Sequence, residues 1–447
     1  MGRPSHSRSL SIWANGIRVG RWTLLPHGEM QLQYEDAWVN ADIGRPLSLS
    51  LPFNLANRPL KGPAVLHYFD NLLPDSLAIR KRVAERFRTG STEAFDLLQA
   101  IGRDCVGAVQ LLGADEAPTA WGQVQGIPLF EDDIERHLRE TVSPRSLADA
   151  QMPHEDFRIS LAGAQEKTAL LRWKGQWMKP VGATPSTHIL KLPMGLVGGQ
   201  QADFTTSVDN EWLCMRLLRA YGLEVAEASM ARFGAQRVLV VERFDRRLSP
   251  DGQTLLRLPQ EDFCQVAGVS PWRKYESEGG PGLKMLFDTL RQSVRAEADM
   301  RTLMAAQILF WMMRAPDGHA KNFSIQLLPR GRFQLTPLYD VMSAYPVLGE
   351  GPRQWSPRHV RLAMALLGRN RHYLMRDIQR RHFNSTVRQL GLGDNAEPLI
   401  EDILASTPTA LAEVRNTLPS DVDPHVADAV LQGMQEAAHA LEAMPAT

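Results

Sequence analysis

A mixed α/β fold of the α+β kind, β-rich in its first part and helical in its last, is what this sequence predicts. Three observations carry that expectation. Short alternating segments such as "SLSIWANGIRVGRW" fill residues 10–109, a denser strand pattern runs from Phe157 to Phe244, and the apolar spacing thereafter turns largely helical. One late exception, "FSIQLLPRGRFQLTPL", alternates at period two around "PRGR" and reads as a hairpin. With 447 residues the chain is about three times the commonest domain length. Three units are therefore expected, over 1–115, 150–255 and 256–447.

Composition narrows the class. Hydrophobic residues make up 44% and charged ones 22%, as in globular domains, and 50 Lys plus Arg balance 50 Asp plus Glu. That balance lacks the cationic excess that drives counterion release from DNA, so any DNA contact is expected to go mainly through a partner. Cys105, Cys214 and Cys264 are odd in number, widely spaced and without a C-x-x-C pair, which supports neither a disulfide framework nor a zinc site. The opening "MGRPSHSRSLSIW" has no apolar leader core, and "MAAQILFWMM" is too short to span a bilayer. A cytoplasmic protein without a membrane segment is the expectation.

The elements follow in order. Asn15-Gly16 and later Lys174-Gly175 mark hairpin turns, "DLLQAIG" marks a helix, and "LPDSLAIRKRVAERFR" a basic amphipathic helix whose charges read as a solvated face. A connector spans about 113–153. Then come "FRISL", the tight loop "AGAQEK", the strands "TALLRW", "QWM" and "HILKLP", a helix from about Asp209 closed by Gly222, and the buried strand "RVLVVERF". No internal repeat is present, which argues against a solenoid.

The chemistry concentrates late in the chain. Pro316 ends the apolar helix "MRTLMAAQILFWMMRA" and delivers Asp317 to a loop. Pairing of the two hairpin arms should then bring the entry residue Asn322 beside the exit residue Asp340. Asp317 to Asn322 has the D-x-x-x-x-N spacing of a kinase catalytic loop, and Asp340 falls where a second Mg²⁺-binding carboxylate belongs. Two hard oxygen ligands for Mg²⁺ on ATP phosphates and a separate carboxylate facing the acceptor are what phosphoryl transfer requires. The spacing alone is weak evidence, and for those two residues in isolation an Asp-capped loop with a hydrogen-bonded Asn is the better account. Upstream, "SLAGAQEK" offers backbone N–H groups to phosphates. Lys191 shares a strand face with Ile189, opposite Leu190 and Leu192, where a lysine needs an anion. Glu211 could pair with it, and the backbone at Glu242 to Phe244 could meet adenine. His319 lacks the second histidine of a zinc site, so it reads as an organiser of the loop, with Lys321 as a charge facing phosphate.

Longer blocks carry a resemblance. "YFDNLLPDS", "FRISLAGAQEKTALLRW", "STHILKLP", "SVDNEW", "VVERFDRR", "LRLPQEDFCQ", "KYESEGGPG", "DGHAKNFS" and "LTPLYDVMSAYPVL" resemble, in order and over nearly the whole chain, the HipA toxin kinase family. The resemblance implies a protein-kinase-like bilobal fold and a serine/threonine protein kinase, the toxin of a type II toxin–antitoxin pair. It implies ATP and Mg²⁺ as cofactors, a HipB-like helix-turn-helix antitoxin dimer as partner, operator DNA reached through that antitoxin, and glutamyl-tRNA synthetase as substrate, with growth arrest and persistence as the outcome. Carried over residue by residue, Asp317 is the catalytic base. Ala162, Gly163, Ala164, Gln165, Glu166 and Lys167 form the phosphate loop, with Lys191, Glu242, Phe244, His319, Asn322, Tyr339 and Asp340 completing the ATP site. Asn322 and Asp340 hold the metal, and Ser160 is the autophosphorylated serine. Ala315-Pro316 stand where many members carry an Asn. A catalytically silent corepressor acting through antitoxin and operator DNA is the alternative; the basic stretch around Arg376, Arg380 and Arg381 reads first as a solvated face, with a minor phosphate contact as the second reading.

Overall fold

The computed structural model describes residues 7–142 and 160–446. The N-terminal hexapeptide and most of "FRISL" lie outside these, as does the expected start of the second unit at 150. The chain forms two compact units, one of Met1–Leu192, Ala231–Trp272 and Ser324–Phe333, the other of Pro193–Met230, Arg273–Phe323 and Gln334–Thr447.

The first unit opens with a five-stranded antiparallel sheet ordered Leu60–Lys61, Met30–Tyr34, Ile17–Leu24, Arg8–Ala14, Gln110–Gly113. Asn15 and Gly16, with φ of 49° and 76°, make the left-handed turn that matches strand twist. Trp22 is fully buried, stacked on Phe69 with ring centroids 3.9 Å apart, and Phe95 leans on it, so helices Pro63–Asp70 and Ala94–Ile101 close that core. A second sheet runs Ala228–Phe233, Gln236–Glu242, His188–Lys191, Lys167–Trp173, Gln176–Pro180, Gly126–Pro128. The stretch expected as a connector contributes that edge strand and the helix Glu131–Val142. Ile134 and Leu138 of this helix pack on Leu170, Leu190, Val238 and Val240.

The second unit is mainly helical, as expected. Its central helix Ala296–Met312 is buried all round from Leu303 onward, the state an unbroken apolar stretch requires. Helices Ser207–Ala220, Glu397–Asn416 and Pro424–Ala443 belong to the same unit. Helix Ser207–Ala220 starts two residues before Asp209 and stops at Gly222, whose φ is 80°. Beyond Phe244 there is more strand than the spacing suggests: Arg246–Leu248 pairs with Leu255–Arg257, and Arg361–Leu367 with Arg371–Leu374. "RLAMALL" is a short apolar run that fits helix and strand periods alike, and the turn Gly368–Asn370 decides for the ribbon.

Candidate active site

In the second unit the site grows from the end of the central helix. Arg314 takes φ 51°, Pro316 forbids another helical turn, and the chain swings into a loop that carries Asp317 with its side chain 43% exposed. His319 N–H donates to the Asp317 carbonyl at 2.8 Å, and one 3₁₀ turn, Ala320–Asn322, follows. The Asn322 side-chain amide then donates to two carbonyls, Asp317 O at 2.7 Å and Asp340 O at 3.2 Å. Asn322 thus binds the entry of the hairpin to its exit. Tyr339 secures the same junction, its hydroxyl donating to Lys321 O at 2.8 Å.

Asp340 sits at φ 60°, a left-handed conformation costing a non-glycine residue roughly 1–3 kcal/mol. Such strain is characteristic of functional positions. With Nδ2 of Asn322 held by carbonyls, its Oδ1 and the Asp340 carboxylate are the oxygens suited to a hard cation. Mg²⁺ takes one or two protein oxygens and keeps its waters, so this donor set fits it. No group of three or more His, Cys, Asp or Glu with metal-ligand geometry occurs among the described residues. The His319 Nε2 lies 3.7 Å from Asp317 Oδ1, beside that carboxylate rather than in a metal cage.

In the first unit, Ser160, Leu161 and Gln165 are buried, while Ala164 at the tip of the 160–167 stretch is exposed. Ser160 is fully buried, its hydroxyl donating to Leu72 O at 2.7 Å and its N–H to Asp104 O at 3.1 Å. Gly163, at φ 105°, bridges Pro74, and its carbonyl accepts from Asp75 N–H at 3.1 Å. The Gln165 side-chain amide donates to Leu192 O at 2.7 Å, and Glu166 is ion-paired with Arg82. The basic helix Leu77–Phe87 therefore pins the loop through Arg82 and is not only a solvated face. Lys167 curls back to donate to Ala162 O at 2.5 Å.

Register adds what the sequence could not show. Lys167 and Lys191 are direct cross-strand partners, and Lys191 is only 6% exposed. Like charges directly opposite each other on one sheet face repel, and an anion such as a polyphosphate relieves that repulsion. Lys191 is flanked on its other side by Leu239.

Glu242 ends its strand exposed, and Phe244 is half-buried. Between and beyond them the chain is anchored by a network missed in the sequence. Buried Asp104 and Asp245 meet buried Arg243, Arg246 and Arg257, with contacts of 2.8 Å for Arg243–Asp245 and 2.9 Å for Arg246–Asp104. Despite burial, the surrounding guanidiniums hold the Asp104 carboxyl far below the usual carboxylate range. Glu211 is buried within its helix. The basic stretch near the C-terminus is largely neutralised, since Arg380 pairs with Glu397 and Arg376 with Asp377.

Residues 159–411 match the family model described as the HipA-like C-terminal domain, and residues 10–112 match the HipA N-terminal domain. The chain belongs to the HipA family. The putative kinase Y4mE of Sinorhizobium fredii is 38% identical to this HipA-family chain over 347 residues, which is 76% of it and 79% of that relative. The serine/threonine-protein kinase toxin HipA of Shewanella oneidensis is 29% identical over 328 residues, 70% of this chain and 69% of its own length. The solved complex of Shewanella oneidensis HipA, HipB and operator DNA matches with a TM-score of 0.76 at 23% identity, covering 97% of this chain and 96% of that one. That likeness shows the mixed α/β fold of a HipA protein.

Proposed function

We propose that this HipA-family chain is a toxin serine/threonine protein kinase that transfers the ATP γ-phosphate to a protein hydroxyl. The observation that carries the reading is the Asn322 amide joined to both Asp317 O and Asp340 O, which assembles base and metal carboxylate from one D-x-x-x-x-N segment and a hairpin exit. The acceptor oxygen attacks the γ-phosphorus, the bond to the bridging β–γ oxygen breaks, ADP leaves, and Asp317 takes the hydroxyl proton. Asn322, through Oδ1, and Asp340 are the residues that would hold Mg²⁺, which when bound would neutralise charge at the phosphates. Lys167 and Lys191 bind phosphate oxygens, the backbone of 162–167 covers them, and Glu242 with Phe244 frames the base.

Glutamyl-tRNA synthetase is the proposed substrate, a cytoplasmic one, and a HipB-like antitoxin dimer the partner that carries this chain of zero net charge to operator DNA. Ser160 is the proposed autophosphorylation site. Its hydroxyl faces the Leu72 carbonyl, so a phosphate dianion there would be repelled and the loop driven outward, away from its nucleotide-binding form.

Intact-protein mass spectrometry after incubation with ATP and Mg²⁺, with and without purified glutamyl-tRNA synthetase, tests this. One added phosphate on either chain is expected, falling by roughly 10² to 10⁴ fold in Asp317→Asn. No transfer to any protein, from chain first shown to carry no phosphate, would replace the kinase with a silent corepressor.

A further inference from the structure

The block "KYESEGGPG" has no part in the chemistry described so far, yet it forms a closely braced loop beside Asp317. The Tyr275 hydroxyl donates to Asp317 Oδ1 across 42 residues of sequence, and its ring meets the His319 imidazole edge-on at 5.0 Å. Tyr275 is half-buried, so its hydroxyl reaches Asp317 at the boundary of protein and solvent.

The loop is built to hold that ring still. Both Glu278 N–H, at 3.1 Å, and Gly280 N–H, at 3.0 Å, donate to the Tyr275 carbonyl, while Ala320 N–H, inside the catalytic segment, donates to Lys274 O at 3.4 Å. A side chain at 280 would start 2.0 Å from the Arg273 carbonyl, so only glycine lets the loop close on itself. The next residue along, Glu276, is fixed from outside the loop, accepting from Ala365 N–H at 2.7 Å and pairing with Arg371 at 3.4 Å. Backbone, glycine and ion pair thus converge on the orientation of one phenol.

We propose that Tyr275 is a positioning residue for phosphoryl transfer: its hydroxyl fixes Asp317 through Oδ1 and leaves Oδ2 to receive the acceptor proton. The proposal rests on the kinase reading above. A carboxylate on a half-exposed loop samples several rotamers, and a base must lie within hydrogen-bond reach of the proton it takes. A donor on one oxygen selects the rotamer without touching nucleotide. Loss of that donor should lower kcat and leave ATP binding unchanged.

The test is a double-mutant cycle with wild type, Tyr275→Phe, Asp317→Asn and the double variant, following γ-phosphate from labelled ATP into this chain and into purified glutamyl-tRNA synthetase. Phenylalanine keeps the ring against His319 and removes only the hydroxyl. Tyr275→Phe is expected to lower kcat about 5- to 30-fold with KM for ATP within about twofold, and to cost nothing further in the Asp317→Asn background. A wild-type rate in Tyr275→Phe overturns the assignment, as does an equal loss in both backgrounds, and in either case the Asp317→Asn loss leaves the kinase reading standing. Wild type that phosphorylates no protein at all sinks the kinase reading itself, and this assignment with it.

Discussion

The side-chain amide of Asn322 reaches the backbone carbonyl of Asp340 at 3.2 Å, 18 residues further along the chain, while holding Asp317 O at 2.7 Å. A pure metal ligand at 322 would tolerate Asp, a stronger oxygen donor for Mg²⁺. A clamp would not, because a carboxylate cannot donate to carbonyls and repels them. Asn322→Asp is therefore expected to lose about tenfold or more in phosphate transfer, in line with about 1–3 kcal/mol for carbonyls left without a donor. Titrating Mg²⁺ checks it: recovery of wild-type rate at high Mg²⁺ would reduce Asn322 to a ligand alone.

Lys167 and Lys191 oppose each other in register, which separates two effects of removing one of them. Lys191→Met should weaken ATP binding by about 10-fold or more, through loss of a charged phosphate contact. Because Lys191 is 6% exposed and sits directly across from Lys167, the substitution also changes the stability of the nucleotide-free protein, so each protein serves as its own ligand-free baseline. Thermal melting with and without ATP and Mg²⁺ reads both at once. A variant that melts well below wild type without ligand, yet keeps its full ATP-induced rise, would contradict the phosphate assignment.

Much of this architecture was legible because it is local. Asn15-Gly16 and Lys174-Gly175 announce their turns, Pro316 announces the helix end, and the alternation around "PRGR" brings Asn322 to Asp340. What stayed hidden depends on distant partners. The bond from Tyr275 to Asp317 has no periodic signature, and the Lys167–Lys191 pairing needs the strand register, which no single strand contains. Asp104, Arg243, Arg246 and Arg257 look like surface charges one by one, and only the fold shows them buried together.

That network makes a stability prediction. Three buried arginines face two buried aspartates, Asp104 and Asp245, and Asp104 touches all three guanidiniums. Asp104→Ala leaves the cations underpaired in a dry site, which typically costs about 3–5 kcal/mol. The protein should unfold at distinctly lower urea, followed by the fluorescence of its ten tryptophans, to which Trp22, stacked on Phe69 in the core of the first unit, contributes. An unchanged midpoint would mean that water enters and solvates the arginines.

Glu261 sets the pH dependence. Its carboxyl is fully buried in the strand Gln260–Asp262, hydrogen-bonded to the Ser48 hydroxyl and accepting from Leu49 N–H at 2.8 Å. Burial pushes its pKa up from 4.5 to about 8; the bonds from Ser48 and Leu49 pull downward without offsetting that, and Asp262 adds to the rise. Between those values the folded chain keeps a proton that the unfolded chain has lost, so this contribution to stability is complete below about pH 4.5 and fades as pH rises through about 8. His137 and His188 act with the opposite sign: burial lowers them from 6.5 to about 3 and about 4, so their contribution is complete above 6.5 and lost on acidification. From about pH 6.5 to 8 the Glu261 slope should therefore stand clear of theirs, and wild type should lose stability across that window. Glu261→Gln keeps the shape and an acceptor for Leu49 without the titration, and should be flat there and more stable than wild type at pH 8. Urea midpoints at half-unit pH steps measure it, and an undiminished slope in Glu261→Gln would show that another group is titrating.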